Sequence, residues 1–288
     1  MSGTLTVVRP GALTTVQDLG RPGHAHLGVG LSGALDRPAH GIANRLVGNP
    51  AECATLETTV SGCAVRADRA VTVAVTGTPC AVRVDGRPVA WGAAVRVPAG
   101  AVLDVGPAVG GVRAYVAFGG GVAVPPVLGS RSRDLLSGLG PEPLADGATL
   151  PLGTPQGPAE GADAVPWAGP PAAGLVLPLV LGPRDDWFTA EARRTLSGEG
   201  YRVSPASNRI GLRTEGPALT RAREGELPSE GMVLGAVQVP PDGLPVVFLA
   251  DHPTTGGYPV VGVVPEPALA AAAQAAPGTP VRFVPVRA

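Results

Sequence analysis

The chain contains no lysine, and all 22 of its basic residues are arginine. A Walker A phosphate loop, a Schiff-base lysine and a covalently attached biotin each need a lysine amine, so all three are excluded. Any anion must therefore be bound by arginine, by backbone N–H groups or by the N-terminus of a helix. Biotin could take part only if another chain carried it.

Cysteine and histidine are also scarce. Cys53, Cys63 and Cys80 are odd in number and lack C-x-x-C spacing, which favours buried thiols over a zinc site or a disulfide framework. The four histidines lack H-E-x-x-H spacing, and a pair such as His24 and His26 is alone a weak metal signal. No metal site is predicted.

Long apolar runs and a strong net charge are missing as well. The apolar segment 175–181 is interrupted by Pro178, and no basic-plus-apolar signal begins the sequence. A net charge of −1 provides no electrostatic surface for nucleic acid or an anionic membrane. We therefore expect a cytoplasmic protein without nucleic-acid or membrane partners.

The residues that are present predict a mainly β protein with a few short helices. Glycine (42) and proline (33) are spread through the chain, which is typical of short strands joined by tight turns. Strands are predicted at 4–8, 70–75, 80–84, 93–97, 101–105 and 112–118. The 288 residues suit two domains, and the Pro- and Gly-rich segment 151–174 is interpreted as a linker.

Helix and hairpin signals are local. Asp36 is a predicted N-cap with Pro38 in the first turn, and that helix should end at Val47. A second helix is expected to start at Asp185 and Asp186 and to end near position 198, and a third to lie between prolines 267 and 277. The dipeptide 85–86, Asp-Gly, predicts a hairpin.

The most informative stretch is 229–262, where two apolar runs each lead into polar residues. The runs 232–239 and 244–250 are separated by Pro-Pro-Asp-Gly, which is typical of a tight turn. The second run is followed by the residues 251–258, Asp-His-Pro-Thr-Thr-Gly-Gly-Tyr. Glycines let a ligand approach the backbone, and hydroxyls supply donors without bulk. This stretch indicates either a site for a small polar ligand or a loop whose polar groups satisfy one another.

Three other segments contain further candidate residues. The segment 28–33 matches G-x-G-x-x-G, but no βαβ alternation surrounds it, so a glycine-rich ligand loop or turn loop is favoured over a dinucleotide site. The segment 129–135 places two arginines and two serines at a predicted loop-to-helix junction, either as an anion site or as a solvated capping turn. The alternation in 207–213 is typical of an edge strand with exposed arginines.

Several segments together resemble a known family. The matching stretches are 16–23, 33–36, 43–49, 56–58, 129–135, 182–188, 207–213 and 229–262. They resemble the C subunit of 5-oxoprolinase, a family also called allophanate hydrolase subunit 2, the Kip antagonist or the biotin-dependent carboxyltransferase A/B domain. The resemblance spans essentially the whole chain. This chain has His252-Pro253 at a place where many relatives have a polar pair.

The resemblance implies two cyclophilin-like β-barrel domains, which we place at 1–160 and 161–288. It also implies two partners in a 5-oxoprolinase complex: a Kip-inhibitor-like subunit, which is its B component, and a lactam-utilisation-type subunit, which is its A component. The implied reaction is the opening of 5-oxo-L-proline to L-glutamate with hydrolysis of ATP, accompanied by Mg²⁺, in the assembled complex. Phosphorylation of the lactam oxygen would make the carbonyl carbon electrophilic toward water.

Such a site needs donors for phosphoryl oxygens and a carboxylate that orients water or accepts a proton. Asp251 and Glu230 are the predicted catalytic carboxylates. The residues predicted to bind substrate are Arg131, Asn208, Arg209, Gln238, Thr254, Thr255, Gly256, Gly257 and Tyr258. Two other function classes stay open. One is a subunit of a biotin-dependent carboxyltransferase or of an amidohydrolase that uses urea or allophanate, and the other is a regulatory protein that binds a kinase inhibitor.

Overall fold

The computed structural model describes residues 3–159, 165, 174–198, 200–225 and 227–287. The chain divides into two units. The first comprises the described residues within Met1–Arg21, Ser32–Asp134 and Gly138–Gly169. The second comprises those within Pro22–Leu31, Leu135–Ser137 and Pro170–Ala288. The boundary expected at 160/161 and most of the expected linker lie outside the described residues.

The described part of the first unit consists mainly of strands. Their bounds are β1 Gly3–Arg9, β2 Leu13–Gln17, β3 Thr55–Thr59, β4 Cys63–Ala67, β5 Val71–Gly77, β6 Val82–Val84, β7 Arg87–Val89, β8 Val95–Val97, β9 Val102–Val105, β10 Arg113–Phe118 and β11 Thr149–Leu152, with helix α1 at Arg37–Leu46. They form a six-stranded sheet, β11-β1-β4-β9-β6-β7, and a five-stranded sheet, β2-β3-β10-β5-β8. The six strands predicted here are confirmed. Strand β11 corrects the linker prediction, because it occupies the first positions of that segment.

Strand β10 is buried on both faces. Val116 and Phe118 contribute to the main core of the unit, whereas Tyr115 and Ala117 belong to a cluster formed with α1. Successive side chains of a strand point to opposite sides, so a strand between a core and a helix must be apolar at nearly every position. This explains why the sequence of β10 shows no polar alternation.

Two local predictions are confirmed in this unit. The carboxylate of Asp36 accepts a hydrogen bond from the N–H of Ala39 at 3.1 Å and caps α1. Asp85 and Gly86 both have positive φ, 48° and 77°, in the turn that joins β6 to β7. A two-residue hairpin with both residues at positive φ matches the twist of its strands.

The described part of the second unit forms a closed barrel. The strands are β12 Leu175–Leu181, β13 Tyr201–Val203, β14 Gly211–Glu215, β15 Glu230–Gly231, β16 Ala236–Gln238, β17 Val246–Phe248, β18 Thr255–Gly256, β19 Val260–Val263 and β20 Pro280–Val286, with helices α2 Ala190–Ser197 and α3 Glu266–Gln274. The order around the barrel is β12-β19-β16-β17-β14-β13-β20. Strands β15 and β18 form a separate two-stranded sheet. The mainly β prediction is therefore confirmed.

The barrel strands alternate in burial. On β12, Leu175, Leu177 and Leu179 are buried, whereas Val176 is 46% exposed. Tyr201 and Phe283 meet edge to face with ring centroids 5.9 Å apart. The period of two identifies the face of each strand that fills the core.

The second predicted helix is corrected in its N-terminal part. Asp185–Trp187 form a short 3-10 helix, and α2 begins at Ala190 with Thr189 as its N-cap. Phe188 between them is extended and pairs with Arg221 in an isolated bridge. The bridge and the burial of Phe188 prevent one continuous helix. None of the helices in the described part of the chain has the length and apolar character needed to cross a membrane.

Candidate functional site

The residues predicted to form the site are distributed over both units. Arg131 belongs to the first unit. The second unit holds Asn208, Arg209, Glu230, Gln238, Asp251, Thr254, Thr255, Gly256, Gly257 and Tyr258. These ten residues lie on the β13–β14 loop, on the β16–β17 hairpin and its following loop, and on the β15–β18 sheet with its flanking residue 258.

The hairpin β16–β17 positions Gln238 and Asp251. Gln238 pairs with Val246, and the intervening turn is closed by a hydrogen bond from Gly243 N–H to Pro240 O at 3.0 Å. Gly243 has a φ of 77°, as the Pro-Pro-Asp-Gly sequence requires at a left-handed turn position. The turn prediction is confirmed, and Asp251 follows the buried strand β17.

Asp251 is fully buried and paired with Arg209. Its two carboxylate oxygens accept from Nε and Nη2 of Arg209, both at 2.9 Å, and Oδ2 also accepts from Leu135 N–H at 3.0 Å. The two side chains are 0% and 1% exposed. A bidentate Arg–carboxylate contact fixes both groups. The interpretation of Arg209 as an exposed edge-strand arginine is therefore wrong, because a carboxylate 42 positions away buries it.

The same contacts bear on the predicted catalytic role of Asp251. A general base must reach the proton that it accepts, either directly or through one water molecule. Here both carboxylate oxygens face donors of the chain itself, and Asp251 N–H also donates to Arg209 O at 3.1 Å. This geometry favours a carboxylate that holds the end of β17 in place. The catalytic role stays a prediction.

Glu230 forms an ion pair with Arg184 at the two-stranded sheet. Nε of Arg184 lies 3.1 Å from Oε2, and Nη2 donates to Oε1. The hydrogen bond from Arg184 lowers the pKa of Glu230, and the same contact raises the pKa of Arg184. Both side chains are partly exposed. Glu230 is thus a carboxylate kept ionised by a cation, in register with Gly256 on β18.

The side-chain amide of Gln238 packs against Gly256 of β18. Its Nε2 donates to the carbonyl oxygen of Tyr258 at 3.2 Å. A Cβ added to Gly256 would lie 2.6 Å from that Nε2, whereas at Gly257 it would make an ordinary 3.5 Å contact with Leu227 O. A Cβ at 256 would therefore force the Gln238 amide to move from this position. In the described part of the chain, the carboxamide oxygen of Gln238 accepts no hydrogen bond and can receive one from a ligand.

The floor beneath these polar groups is apolar. Met232, Ala236, Val246, Phe248 and Val260 form one buried cluster. The last four lie on the strand face that also carries Gln238. Met232 N–H donates to Thr254 O at 2.9 Å, which ties the threonine loop to this floor. The cluster offers an apolar surface next to a carboxamide, the combination used by small-molecule sites.

His252 is a residue that sequence reasoning noted but did not assign to the site. Its ring stacks on Phe248 with centroids 6.0 Å apart and planes at 15°. Nδ1 lies 2.7 Å from Pro253 O, which can only accept, so Nδ1 donates. The imidazole therefore extends the apolar floor. The sequence signals for it were its position directly after Asp251 and the His252-Pro253 pair.

Asn208 has a local role in the described structure. Its side-chain oxygen accepts from the N–H groups of Ile210 at 2.8 Å and Gly211 at 3.3 Å. This is an Asx turn that precedes β14. The side chain forms the turn that leads from Arg209 into the strand.

Arg131 lies in a loop of the first unit built around Asp18. Oδ1 of Asp18 accepts from the hydroxyls of Ser130 and Ser132, both at 2.6 Å, and Oδ2 accepts from Arg131 N–H at 2.6 Å. The helix predicted at the end of 129–135 is absent, and turn residues follow that segment's loop. The loop instead closes on Asp18, more than a hundred positions earlier, which sequence reasoning did not single out.

The second-unit group therefore defines a class of site. An ion pair, an open amide oxygen, threonine backbone and a glycine surround an apolar floor beside a closed β-barrel. Such an arrangement suits a small, partly apolar ligand that carries an N–H group. Cys63 and Cys80 are buried, and burial raises the pKa of these two thiols to about 12 and about 11, so neither is a reactive group.

Comparison with known proteins identifies the family. The family described as carboxyltransferase domain, subdomain A and B, matches residues 27–285, and the chain belongs to it. It is 38% identical to the C subunit of 5-oxoprolinase from Escherichia coli K12 over 97% of this chain and 90% of that protein. It is 34% identical to the urea amidolyase of Lachancea kluyveri over 97% of this chain, which spans 17% of the length of that enzyme.

Solved structures agree in fold. The crystal structure of TTHA0988 superposes with a TM-score of 0.88 at 37% identity, covering 98% of this chain and 56% of that one. The crystal structure of the K. lactis urea amidolyase gives a TM-score of 0.91 at 29% identity, covering 98% of this chain and 19% of that one. This chain thus spans about half or less of these longer proteins.

Proposed function

We propose that the chain is one subunit of an ATP-dependent 5-oxoprolinase, which opens 5-oxo-L-proline to L-glutamate. The observation that carries the proposal is the identity with the C subunit of the E. coli enzyme, which extends over 90% of that protein. The Kip-inhibitor-like subunit and the lactam-utilisation-type subunit are its partners in this proposal. The second-unit site supports it, because a lactam offers ring methylenes to an apolar floor and an N–H to an amide oxygen.

In this proposal each group has a defined task. The Gln238 carboxamide oxygen accepts the lactam N–H, and its Nε2 stays bonded to Tyr258 O. Met232, Phe248 and Val260 contact the ring methylenes. Thr254 and Thr255 donate hydroxyl hydrogen bonds to the substrate carboxylate. Arg209 and Asp251 keep the loop that carries these threonines in place.

The residues of this site do not fit a triphosphate. Arg184 and Arg209 are both engaged by carboxylates, and the chain has no lysine for a phosphate loop. A nucleotide placed beside Glu230 would meet an ionised carboxylate. We therefore place the ATP site, with its Mg²⁺, on one of the partners, and the task of this chain is to bind and orient the lactam.

Reconstitution tests the proposal directly. The chain alone should release no ADP with 5-oxoproline, and addition of both partners should release ADP and L-glutamate in equal amounts. Robust turnover by the chain alone would refute the need for partners. A complete complex that does not hydrolyse 5-oxoproline but consumes urea would refute the proposal that 5-oxoproline is the substrate.

A pair of glycine variants tests the binding mode. Gly256→Ala should lower kcat/KM for 5-oxoproline by roughly 10- to 100-fold. A Cβ there displaces the Gln238 carboxamide, which then no longer lies where it can accept the lactam N–H. Gly231→Ala on the neighbouring strand is the matched control, since a Cβ there meets no atom within 4 Å. Equal kinetics of the two variants would remove Gln238 from the site.

A second candidate function is favoured by one observation. The TM-score of 0.91 with the K. lactis urea amidolyase supports a role in urea carboxylation, as a carboxyltransferase that uses biotin carried by another chain. This candidate predicts carboxylation of urea when a biotin carboxylase and a biotinylated carrier are supplied. It also predicts that the chain supports no hydrolysis of 5-oxoproline when the two 5-oxoprolinase partners are supplied instead.

A further inference from the structure

A cleft of 520 Å³ lies within the first unit, and the proposed lactam site makes no use of it. Its walls come from the segment before β3, the turn after β10, Arg131 and the residues that follow β11. Volumes of about 300–1,000 Å³ are usual for sites that bind small molecules. The cleft is therefore large enough for a metabolite-sized ligand.

Three glycines are among the residues that line the cleft. A Cβ at Gly120 would lie 2.2 Å from Gly153 O, and a Cβ at Gly153 would lie 2.2 Å from Gly120 O. A Cβ at Gly121 would lie 3.0 Å from Cys53 Cβ. These three glycines let two segments meet closely and add no side chains of their own to the cleft.

Arg131 is held in the cleft by two hydrogen bonds that do not use its terminal nitrogens. Its backbone N–H donates to Asp18 at 2.6 Å, and its Nε donates to Val124 O at 2.8 Å. Among the residues that the structure describes, neither Nη forms a hydrogen bond or an ion pair. The fork of the guanidinium is thus anchored on one side and available to a carboxylate on the other.

Glu52 provides a negative group in the same cleft. It is exposed, and within the described ranges it has neither an ion pair nor a hydrogen bond. Burial is the main cause that raises the pKa of the Cys53 thiol, Arg131 opposes it, and Glu52 adds to it. Glu52 and Arg131 both line this cleft. Arg131 is the single basic residue among the described lining residues, so a phosphate would face one cation and a nearby anion.

We infer that this cleft binds the zwitterion of a free α-amino acid. The Nη groups of Arg131 donate to the carboxylate, Glu52 accepts from the ammonium group, and the three glycines leave room for the ligand between them. A simple carboxylic acid lacks the second contact, and inorganic phosphate lacks an ammonium group for Glu52. The inference does not depend on the reaction proposed above.

Alkylation of Cys53 by iodoacetamide, followed by mass spectrometry of the intact chain and its peptides, measures occupancy of the cleft itself. Cys63 and Cys80 are buried and serve as internal references. The probes are L-alanine, L-leucine, L-glutamine and L-glutamate, with propionate and inorganic phosphate as comparison ligands. At least one amino acid should slow alkylation of Cys53 by roughly fivefold or more at saturation, as a ligand that covers the thiol does.

Two variants and a control separate recognition from folding. Arg131→Gln should weaken binding of the protecting amino acid by about 10- to 100-fold, which corresponds to a lost charged hydrogen bond. Glu52→Gln, at an exposed position, should weaken binding of the amino acid and leave any protection of Cys53 by propionate unchanged. Arg83→Gln removes an exposed arginine of β6 and should keep wild-type protection. Thermal unfolding of each variant reports whether the first unit is intact.

Three results would overturn the inference. One is the absence of protection by all four amino acids. Another is equal protection by propionate or phosphate, which would reveal a plain anion site. The third is wild-type protection in a folded Arg131→Gln variant. None of these results depends on 5-oxoproline turnover, so failure here and failure of the proposed function can be told apart.

Discussion

Two buried aspartates, one in each unit, are held by different kinds of donor. Asp18 directly follows β2 and accepts from two serine hydroxyls and from the N–H groups of Gly20 and Arg131. Asp251 follows β17 and accepts from the guanidinium of Arg209 and from one backbone N–H. Both carboxylates are at most 5% exposed. The first is bound by neutral groups, and the second by a buried cation.

The difference determines what each carboxylate contributes. Neutral donors compensate a buried charge without burying another, so each lost contact has a moderate cost. A buried ion pair removes two charges from water, and loss of either partner leaves the other uncompensated. The second arrangement is therefore more sensitive to single substitutions, although replacement of both partners is tolerated better than replacement of one.

Removal of one charge in the second unit should have the largest effect. Arg209→Met leaves Asp251 buried without its cation and should lower the free energy of unfolding by about 3–5 kcal/mol. Urea-induced unfolding measures this change. The double variant Arg209→Met/Asp251→Leu should recover most of the loss, because apolar groups of similar volume can replace a buried pair. A double variant as unstable as the sum of the single ones would contradict the comparison.

Removal of the negative charge in the first unit should have a smaller effect. Asp18→Asn keeps the shape but turns an NH₂ group toward a backbone N–H, which should cost about 1–3 kcal/mol of unfolding free energy. Asp68→Asn is the matched control: this exposed aspartate accepts from Thr4 N–H, and its loss should cost about 0.5 kcal/mol or less. A loss at Asp18 larger than the loss in Arg209→Met would reverse the ranking of the two regions.

Local signals in the sequence were enough to predict much of the fold. The Asp-Gly hairpin, the Asp36 cap and the six strands of the first unit depend on neighbouring residues, and the structure has them where the patterns place them. The helix expected from Asp185 was wrong at its start, because Phe188 forms a bridge with Arg221. A contact between segments 33 positions apart has no trace in a local pattern.

The candidate site could be predicted only as a set of residues. The stretch 229–262 does bring Glu230, Gln238 and Gly256 together, since its two short strands pair with each other. The burial of Arg209 could not be predicted, because its partner Asp251 is 42 positions away. The same holds for Asp18, whose serine donors are 112 and 114 positions away. These side-chain pairs were not predicted, because their partners are far apart in the sequence and meet only in the folded chain.

His40 extends the comparison to a group buried in its neutral form in the first unit. Its Nε2 lies 2.8 Å from Ala51 O, which can only accept, so Nε2 carries the proton and Nδ1 accepts from Thr55 Oγ1 at 3.0 Å. Burial lowers the pKa of His40 below 6.5, against smaller opposite effects of the Ala51 hydrogen bond and of Asp18 and Glu57. Like Asp18, this side chain is hydrogen-bonded to neutral groups.

The smallest predicted effect concerns the pH dependence of stability. Because the pKa of His40 is lower in the folded chain than in the unfolded one, the unfolded chain takes up the proton first as the pH falls. Neutral His40 therefore makes its full contribution to the free energy of unfolding above about pH 6.5. This contribution is lost as the pH falls from there toward the pKa of His40 in the folded chain. His40→Gln should be less stable than wild type at pH 7.5, because its side chain cannot reproduce both hydrogen bonds, and its free energy of unfolding should fall less steeply down to pH 5.5. The difference in slope should not exceed about 1.4 kcal/mol per pH unit, the limit for one proton. Urea unfolding at five pH values measures this difference in slope. His26→Gln, at an exposed position, is the control. Parallel curves for wild type and His40→Gln would show that the pKa of His40 is the same in the folded and unfolded chains.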